Sequence, residues 1–320
     1  MTRRGAEGRA AGTAPAPAGH ALARMMRAAT ATLAAAGVPS PRHDAQALAA
    51  HVLSLPAARL AMAGPPSAEQ QARYADLVGQ RTHRVPLQHL TGVAGFRRLD
   101  LAVGPGVFVP RPETEVLVDW ALAALAGTRA PLVVDLCAGS GALALALANE
   151  LPSRPRVHAV DNDPLALAWA RRNAEARAAA GDQPVTLHRG DVTDPTLLAD
   201  LAGSVDLVIA NPPYIPDGAA VEPEVAEHDP PAALWGGPDG LDLVRHVERT
   251  AARLLRSGGA VAVEHADLQG RSAPALFHRP EWTDVADHPD LAGRPRFSTA
   301  RRSRPDRVPD PTCRGATIPR

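Results

Sequence analysis

The sequence predicts an α/β protein: an open, mainly parallel sheet with helices on both faces, preceded by a small bundle of helices. Three observations predict it. From Arg111 onward, short apolar runs alternate with stretches of helical periodicity, the rhythm of strand–helix–strand crossovers. One run, Val133-Val134-Asp135-Leu136, passes through a glycine turn directly into a helical stretch. From about His20 to Thr82, by contrast, the periodicity is helical, with short loops between segments.

Residues 1–20 are a low-complexity Ala/Pro/Gly tail, expected to be disordered. In the helical domain, 21–84, Met25, Met26, Ala29 and Leu33 recur at helical spacing. Ser40 and Pro41 read as N-cap and first helical residue, and Ser67 caps a further helix with Glu69 and Gln70 in its first turn. Across 85–110, apolar and polar residues alternate between Gly and Pro, which predicts a β-hairpin from Val85 to Pro110 linking two domains. In the α/β domain, 111–302, the helix ETEVLVDWALAALA precedes the strand Pro131–Leu136. The helix Ala142–Glu150, strand Val157–Val160, helix Pro164–Ala179 and strands Val185–His188 and Val205–Ala210 follow. A helix over Leu241–Leu255, a strand over Ala260–Val263 and two last strands near Thr283–Ala286 and Arg296–Thr299 complete it. Arg301–Arg320 has no periodicity, and 303–320 is set aside as a second tail.

Composition narrows the function. Of the 320 residues 45% are hydrophobic but only 3% aromatic, so the core must be built from Ala, Leu and Val. All 34 basic residues are Arg and are balanced by 34 acids. Zero net charge argues against a protein whose main affinity is for a phosphate backbone, and no direct nucleic-acid binding is expected. Cys137 and Cys313 cannot build a disulfide framework, which suits a reducing compartment. No apolar stretch approaches the ~20 residues that span a bilayer, and Arg24 and Arg27 interrupt the Ala-rich N-terminal segment. A cytoplasmic protein without membrane association is expected. The twelve His show no metal-ligand spacing, so no metal is expected; His43, His51, His89 and His265 read as structural.

Two constellations carry chemistry. The first is the turn Cys137-Ala138-Gly139-Ser140-Gly141, where Gly139 and Gly141 permit a sharp bend and close approach of a ligand. Asp161 ends the next strand, 20 residues beyond Gly141, at the spacing of a ribose-binding acid. Gly139-x-Gly141-x-x-Ala144 also fits a dinucleotide fingerprint, but Asp135 inside the strand would repel a pyrophosphate and could instead orient a loop around a ligand carrying an amino group. The acid pair Asp135/Asp161 suits a cationic, phosphate-free nucleoside, and S-adenosylmethionine has that character. Asp191 either accepts from the adenine amino group or caps the turn before Pro195.

The second constellation is Asn211-Pro212-Pro213-Tyr214 after a buried strand. Two prolines remove two backbone donors and leave acceptor character. The Asn211 side-chain oxygen, the Pro212 carbonyl and the flat Tyr214 ring are the catalytic candidates, expected to hold a planar –NH2 group. An Asn-Pro turn serving only as punctuation is the competing reading.

At these residues the chain resembles amino-methyltransferases. Within them, Phe108-Val109-Pro110-Arg111-Pro112-Glu113-Thr114-Glu115 resembles the signature of the PrmC (HemK) family of peptide chain release factor glutamine N5-methyltransferases. Pro39–Leu48, Pro86–Gly92 and Glu264-His265-Ala266 with Gln269-Gly270 are similar to it too, so the resemblance runs from about Leu22 to Arg302. It implies a Rossmann-like class I methyltransferase sheet, S-adenosylmethionine as methyl donor, and release factors as protein partners docked by the helical domain. It further implies that Cys137 to Gly141 form the cofactor turn, that Asp161 binds ribose, that Asp191 and Val192 flank adenine, and that Asn211, Pro212, Pro213 and Tyr214 bind the glutamine side chain. Cys137 stands where relatives often have Gly, which implies a non-positive φ there. Val192 stands where some carry an aromatic. Methylation of a ribosomal-protein glutamine or of a nucleic-acid base is the alternative activity, and a non-enzymatic cofactor-binding scaffold is a third reading.

Overall fold

The computed structural model describes residues 19–303, which fall into two compact units divided between Thr91 and Gly92. The expected tail segments 1–18 and 304–320, and Cys313, lie outside the described residues.

The first unit contains α1 (Gly19–Ala35), α2 (Pro41–Leu53), α3 (Ala68–Thr82) and α4 (Leu87–Thr91). Leu22, Leu33, Leu48, Leu77 and Tyr74 meet in its core. Burial pushes the Tyr74 phenol up to about 12, and its hydroxyl donates to the Ala45 carbonyl at 2.9 Å. Arg81 and Asp44 form a buried ion pair at 2.7 Å. Pro41 opens α2 as expected, although the Ser40 side chain makes no capping bond. Ser67 and Gln70 do form a reciprocal capping box at the start of α3.

The hairpin is shorter than the alternation suggested. Residues 87–91 are helical, because Leu87 and Leu90, three apart, both pack against the bundle core. Strands β1 (Val93–Phe96) and β2 (Leu99–Ala102) then pair antiparallel, Phe96 opposite Leu99. Arg97 begins the two-residue turn with φ +56°.

The second unit is built on a seven-stranded sheet: β3 (Leu132–Leu136), β4 (Arg156–Asp161), β5 (Val185–Arg189), β6 (Val205–Ala210), β7 (Leu255–Glu264), β8 (Trp282–Pro289) and β9 (Pro295–Arg302). Its order is β5-β4-β3-β6-β7-β9-β8. The pairs among β5, β4, β3, β6 and β7 are parallel, whereas β9 runs antiparallel to both its neighbours. The helices are α5 (Glu115–Ala124), α6 (Ala142–Glu150), α7 (Pro164–Ala179), α8 (Pro223–His228), α9 (Asp242–Leu254) and α10 (Ser272–Ala275).

Alternate strand residues feed two cores. Val133, Leu207 and Ile209 join α5 and α6 on one face, while Val134, Leu136 and Val208 meet Val244, Val247 and Leu254 of α9 on the other. Each such side chain contributes ~1.5–3 kcal/mol of burial. Residues Ala142–Ala148 of α6 are all buried, as expected of a helix apolar around its whole circumference. Arg301 and Arg302, which show no periodicity in the sequence, belong to β9: Arg301 pairs with Ala260, and the Arg302 guanidinium donates to the Ala252 carbonyl at 2.9 Å.

Strand order reverses between β3 and β6, so the turns after Leu136 and Ala210 open side by side at the carboxyl edge. Ligands of open α/β sheets bind at such a switch point. Both chemistry-bearing motifs of the sequence lie there. No helix among the described residues is long and apolar enough to cross a membrane.

Candidate active site

The turn after β3 is held by its own backbone. The Ala138 amide donates to the Val160 carbonyl at 3.0 Å and the Gly141 amide to the Ala138 carbonyl at 2.8 Å. Gly139 and Gly141 take φ of +56° and +85°. A Cβ placed on Gly139 would meet nothing within 4 Å, so the glycine leaves open space beside the turn. Cys137 overturns an expectation: its φ is +60°, despite its side chain. Pairing of Leu136 with Val160 before it and the Ala138 amide bond after it fix the path of the turn, so the residue takes the left-handed conformation at ~1–2 kcal/mol. Burial, then the nearby Asp161, Asp135 and Asp191, push its thiol up and keep it protonated.

A cavity at this edge is lined by Cys137, Ala138, Gly139 and Ser140 of the turn, by Asp161, Asp191 and Val192, and by Asn211 and Pro213. Gly141 lies behind it, at the start of α6. Asp161 accepts from the Gly139 amide at 2.8 Å and the Asp163 amide at 2.9 Å, with burial as the main influence raising its pKa. Asp191 accepts from the Thr193 amide and hydroxyl at 2.8 and 2.7 Å, which hold it below the usual carboxylate range. The charged lining side chains are Asp161, Asp163 and Asp191; no Arg or His lines the cavity among the described residues.

Asp135, paired with Asp161 in the sequence reading, is not on the cavity wall. It is fully buried beneath the turn, where one carboxyl oxygen accepts from the Ala144 amide at 3.0 Å and the other has no partner. Burial pushes this acid up to about 8. It therefore anchors the first turn of α6, whose amides have no partner within the helix.

On the opposite wall, the Asn211 side-chain amide donates to the Thr114 hydroxyl at 3.2 Å, and both residues line the cavity. Pro212 and Tyr214 are not among the lining residues, so the expected stacking plate is not part of this wall. Tyr214 instead donates its hydroxyl to Glu264 at 3.0 Å, and its carbonyl accepts from Gln269 at 3.0 Å. A Cβ at Gly240 would overlap that carbonyl, so only glycine fits there. These bonds turn the tyrosine into a brace for the loop.

Several contributors escaped sequence reasoning. Thr114 stood in the quoted signature without a role. Arg111 donates to buried Asp229 at 2.7 Å and sits 4.9 Å above the Phe108 ring. That contact joins the segment carrying Phe108, Pro110 and Thr114 to the one carrying Pro230, Ala232 and Ala233, all six lining the cavity. Asn173 bonds both backbone groups of Ala102 and the Ser140 carbonyl, tying β2 and the turn to α7. Arg111 was visible in the signature; Asp229 and Asn173 are brought in only by the fold.

The mostly parallel sheet, the antiparallel β9 inserted between β7 and the end strand β8, and the acidic cavity at the switch point define a class I methyltransferase. Residues 24–92 match the PrmC N-terminal domain, and residues 88–228 match the methyltransferase small domain. The chain is 54% identical over 282 residues to a release factor glutamine methyltransferase of Streptomyces coelicolor, covering 87% of this chain and 96% of that one. It is 52% identical over 282 residues to the Mycolicibacterium smegmatis protein of that name, at 88% and 98% coverage. It is 42% identical over 290 residues to a 4-amino-L-phenylalanine/4-methylamino-L-phenylalanine methyltransferase of Streptomyces pristinaespiralis, at 87% and 93%. The chain belongs to the release factor glutamine methyltransferase family, as the resemblance around Phe108–Glu115 implied.

Proposed function

We propose that this protein methylates the side-chain amide nitrogen of the glutamine in the Gly-Gly-Gln loop of peptide chain release factors, with S-adenosylmethionine as donor. The single observation that carries the reading is the composition of the cavity wall: three carboxylates without a cation, beside the carboxamide of Asn211. A pyrophosphate would be repelled there, whereas a sulfonium and an ammonium are attracted. The residues fit the donor in detail. Asp161 keeps lone pairs for ribose hydroxyls beyond the two amides it already serves. Asp191 and Val192 would flank adenine, and Cys137 to Gly141 would follow the remainder of the molecule with no Cβ in the way at Gly139.

When bound, S-adenosylmethionine supplies an electrophilic methyl group. An amide nitrogen is a weak nucleophile because its lone pair is delocalised, so the protein's task is orientation in a site shielded from water. Asn211 Oδ1 would accept one amide hydrogen of the glutamine; the Pro212 carbonyl, expected as the second acceptor, is off the cavity lining. Pro212 and Pro213, lacking N–H groups, present no donor to compete. Tyr214 supports the loop from behind, and Phe108, Pro110 and Pro213 give the acceptor a dry wall. The Streptomyces pristinaespiralis relative, named for an amino-substituted phenylalanine, fits a site class that takes a flat –NH2 group.

The experiment is incubation with methyl-labelled S-adenosylmethionine and a release factor, then peptide mass mapping. Label on the Gly-Gly-Gln glutamine is expected. Label on a ribosomal protein, or on RNA or DNA, with an unlabelled release factor would overturn the assignment.

A further inference from the structure

The turn Asn211–Tyr214 ends in a residue whose main chain is held from a distant part of the sequence. We propose that Gln269, which does not line the cavity, is a positioning residue: it clamps the Tyr214 end of that turn to the loop before α9 and thereby sets the Asn211 carboxamide against the cavity. This rests on the acceptor role given to Asn211 above.

Gln269 closes the short turn Asp267–Gln269 that follows β7, and it is buried, 6% exposed. Its surroundings decide which end of the carboxamide is which. The Ala266 amide can only donate, and it meets Oε1 at 2.9 Å. The Tyr214 and Asp239 carbonyls can only accept, and each takes a hydrogen from Nε2 at 3.0 Å. One side chain therefore ties together the end of β7, the turn after β6 and the loop before α9. Those two loops also meet directly: the Ile215 amide donates to the Leu234 carbonyl at 2.9 Å, and the Gly236 amide to the Ile215 carbonyl at 2.8 Å. Gly240 leaves the clamp its room, because a Cβ there would overlap the Tyr214 carbonyl and come within 2.6 Å of Nε2.

Between Tyr214 and Asn211 stand Pro212 and Pro213, whose rings lock φ at about −65°. A turn with so few free torsions carries a displacement from one end to the other. The place of Asn211 is thus set at two points, by Ala210 at the end of β6 and by the clamp on Tyr214. The turn after β3 has no such dependence, since the Ala138 and Gly141 amides bond to the Val160 and Ala138 carbonyls. Loosening the clamp should disturb the acceptor and spare the donor.

The first test needs no substrate. Gln269→Glu keeps the size of the side chain and the bond from the Ala266 amide, but once ionised it turns an acceptor towards two carbonyls. Hydrogen exchange read by mass spectrometry at about pH 8 should be at least about tenfold faster across 211–217 and 234–242 in the variant, and unchanged across 137–144. Unchanged exchange across 211–217 overturns the proposal.

The second test is kinetic. Gln269→Glu should lower kcat for the release factor by ~10²-fold, with S-adenosylmethionine affinity by calorimetry within about twofold. Burial raises the pKa of a carboxyl in such a place. The ratio of variant to wild-type kcat should therefore recover as pH falls from about 8 to about 6, where the protonated group regains one donor. Equal loss of kcat and donor affinity, or a ratio that does not move with pH, would mean a merely structural role and would also overturn it. Should the variant not fold, Pro212→Ala decides: it frees the φ that transmits the clamp, keeps the carbonyl and alters no lining residue. Its kcat should fall by about tenfold with donor affinity retained, and wild-type kcat overturns the proposal. Exchange that quickens as described, from a wild type that labels no release factor, would overturn the substrate assignment and not the clamp.

Discussion

The two walls of the cavity do opposite things with carboxylates. On the proposed donor side, Asp161 and Asp191 line the space directly, each fixed by backbone amides at 2.8–2.9 Å. On the proposed acceptor side no carboxylate lines the cavity; Glu264 lies outside it, accepting from the Tyr214 hydroxyl. A cationic ligand is recognised by charge, so its acids must be in view. A neutral amide is recognised by the direction of its hydrogen bonds, and an acid facing it would attract the wrong ligand. Catalysis by placement depends on that separation.

The comparison breaks most severely at Asn211. Asn211→Ala removes an acceptor from the acceptor wall and leaves the donor wall untouched. Methyl transfer to a release factor should fall by ~10²–10³-fold in kcat, with donor affinity unchanged by calorimetry. A variant with full activity would show that the two walls are not divided as described.

Next in size is the reverse experiment. Asp161→Asn keeps one oxygen, able to accept from the Gly139 or the Asp163 amide but not both, and removes the charge. Hydrogen bonds to charged groups contribute ~1.5–3 kcal/mol, so donor affinity should weaken by about 10- to 100-fold. Once the donor is saturating, kcat should recover to near the wild-type value. Affinity that does not change would take ribose binding away from Asp161.

How much of this was legible follows from what each wall is made of. The donor wall is local: Cys137 to Gly141 and Asp161 belong to consecutive strand–turn units, and Asp191 to the next one, so spacing alone put them at one sheet edge. The acceptor wall is not local. Thr114, Asn211 and Glu264 are separated by some hundred and some fifty residues, and only adjacency of β6 and β7 with the segment before α5 brings them together. The Asn-Pro-Pro-Tyr turn was readable as acceptor chemistry, but the direction of Tyr214 was not, because its partner comes from another strand. For Asp135 the sequence offered a loop-orienting role but not its partner, the Ala144 amide. An acid in a central strand faces a layer of helices, and in this strand it faces α6, not the ligand.

That burial yields a pH prediction. With its folded-state pKa raised to about 8 against ~3.9 in the unfolded chain, Asp135 holds a proton in the folded state that the unfolded chain releases. Its contribution to stability is therefore full at low pH and declines as pH rises towards about 8. Asp135→Asn keeps an acceptor for the Ala144 amide and cannot ionise. Its melting temperature relative to wild type should thus improve from pH ~4 up to about 8 and level off above it. A difference that stays flat would mean that Asp135 is ionised in the folded state across this range.

The smallest effect is expected at Cys137, where the turn itself is tested and neither wall. Its φ of +60° is tolerated by cysteine and natural to glycine. Cys137→Gly should relieve ~1–2 kcal/mol of left-handed strain. Against this, glycine loses the packing of the thiol against its apolar neighbours and raises the entropy of the unfolded chain by ~0.4–1 kcal/mol. The terms nearly cancel, so denaturant unfolding should place the variant within about 1 kcal/mol of wild type. Donor affinity should also be unchanged, because the bonds from Ala138 to Val160 and from Gly141 to Ala138 are backbone bonds that the substitution keeps. A loss of several kcal/mol would show that the cysteine side chain, and not the backbone on either side of it, sets the path of the turn.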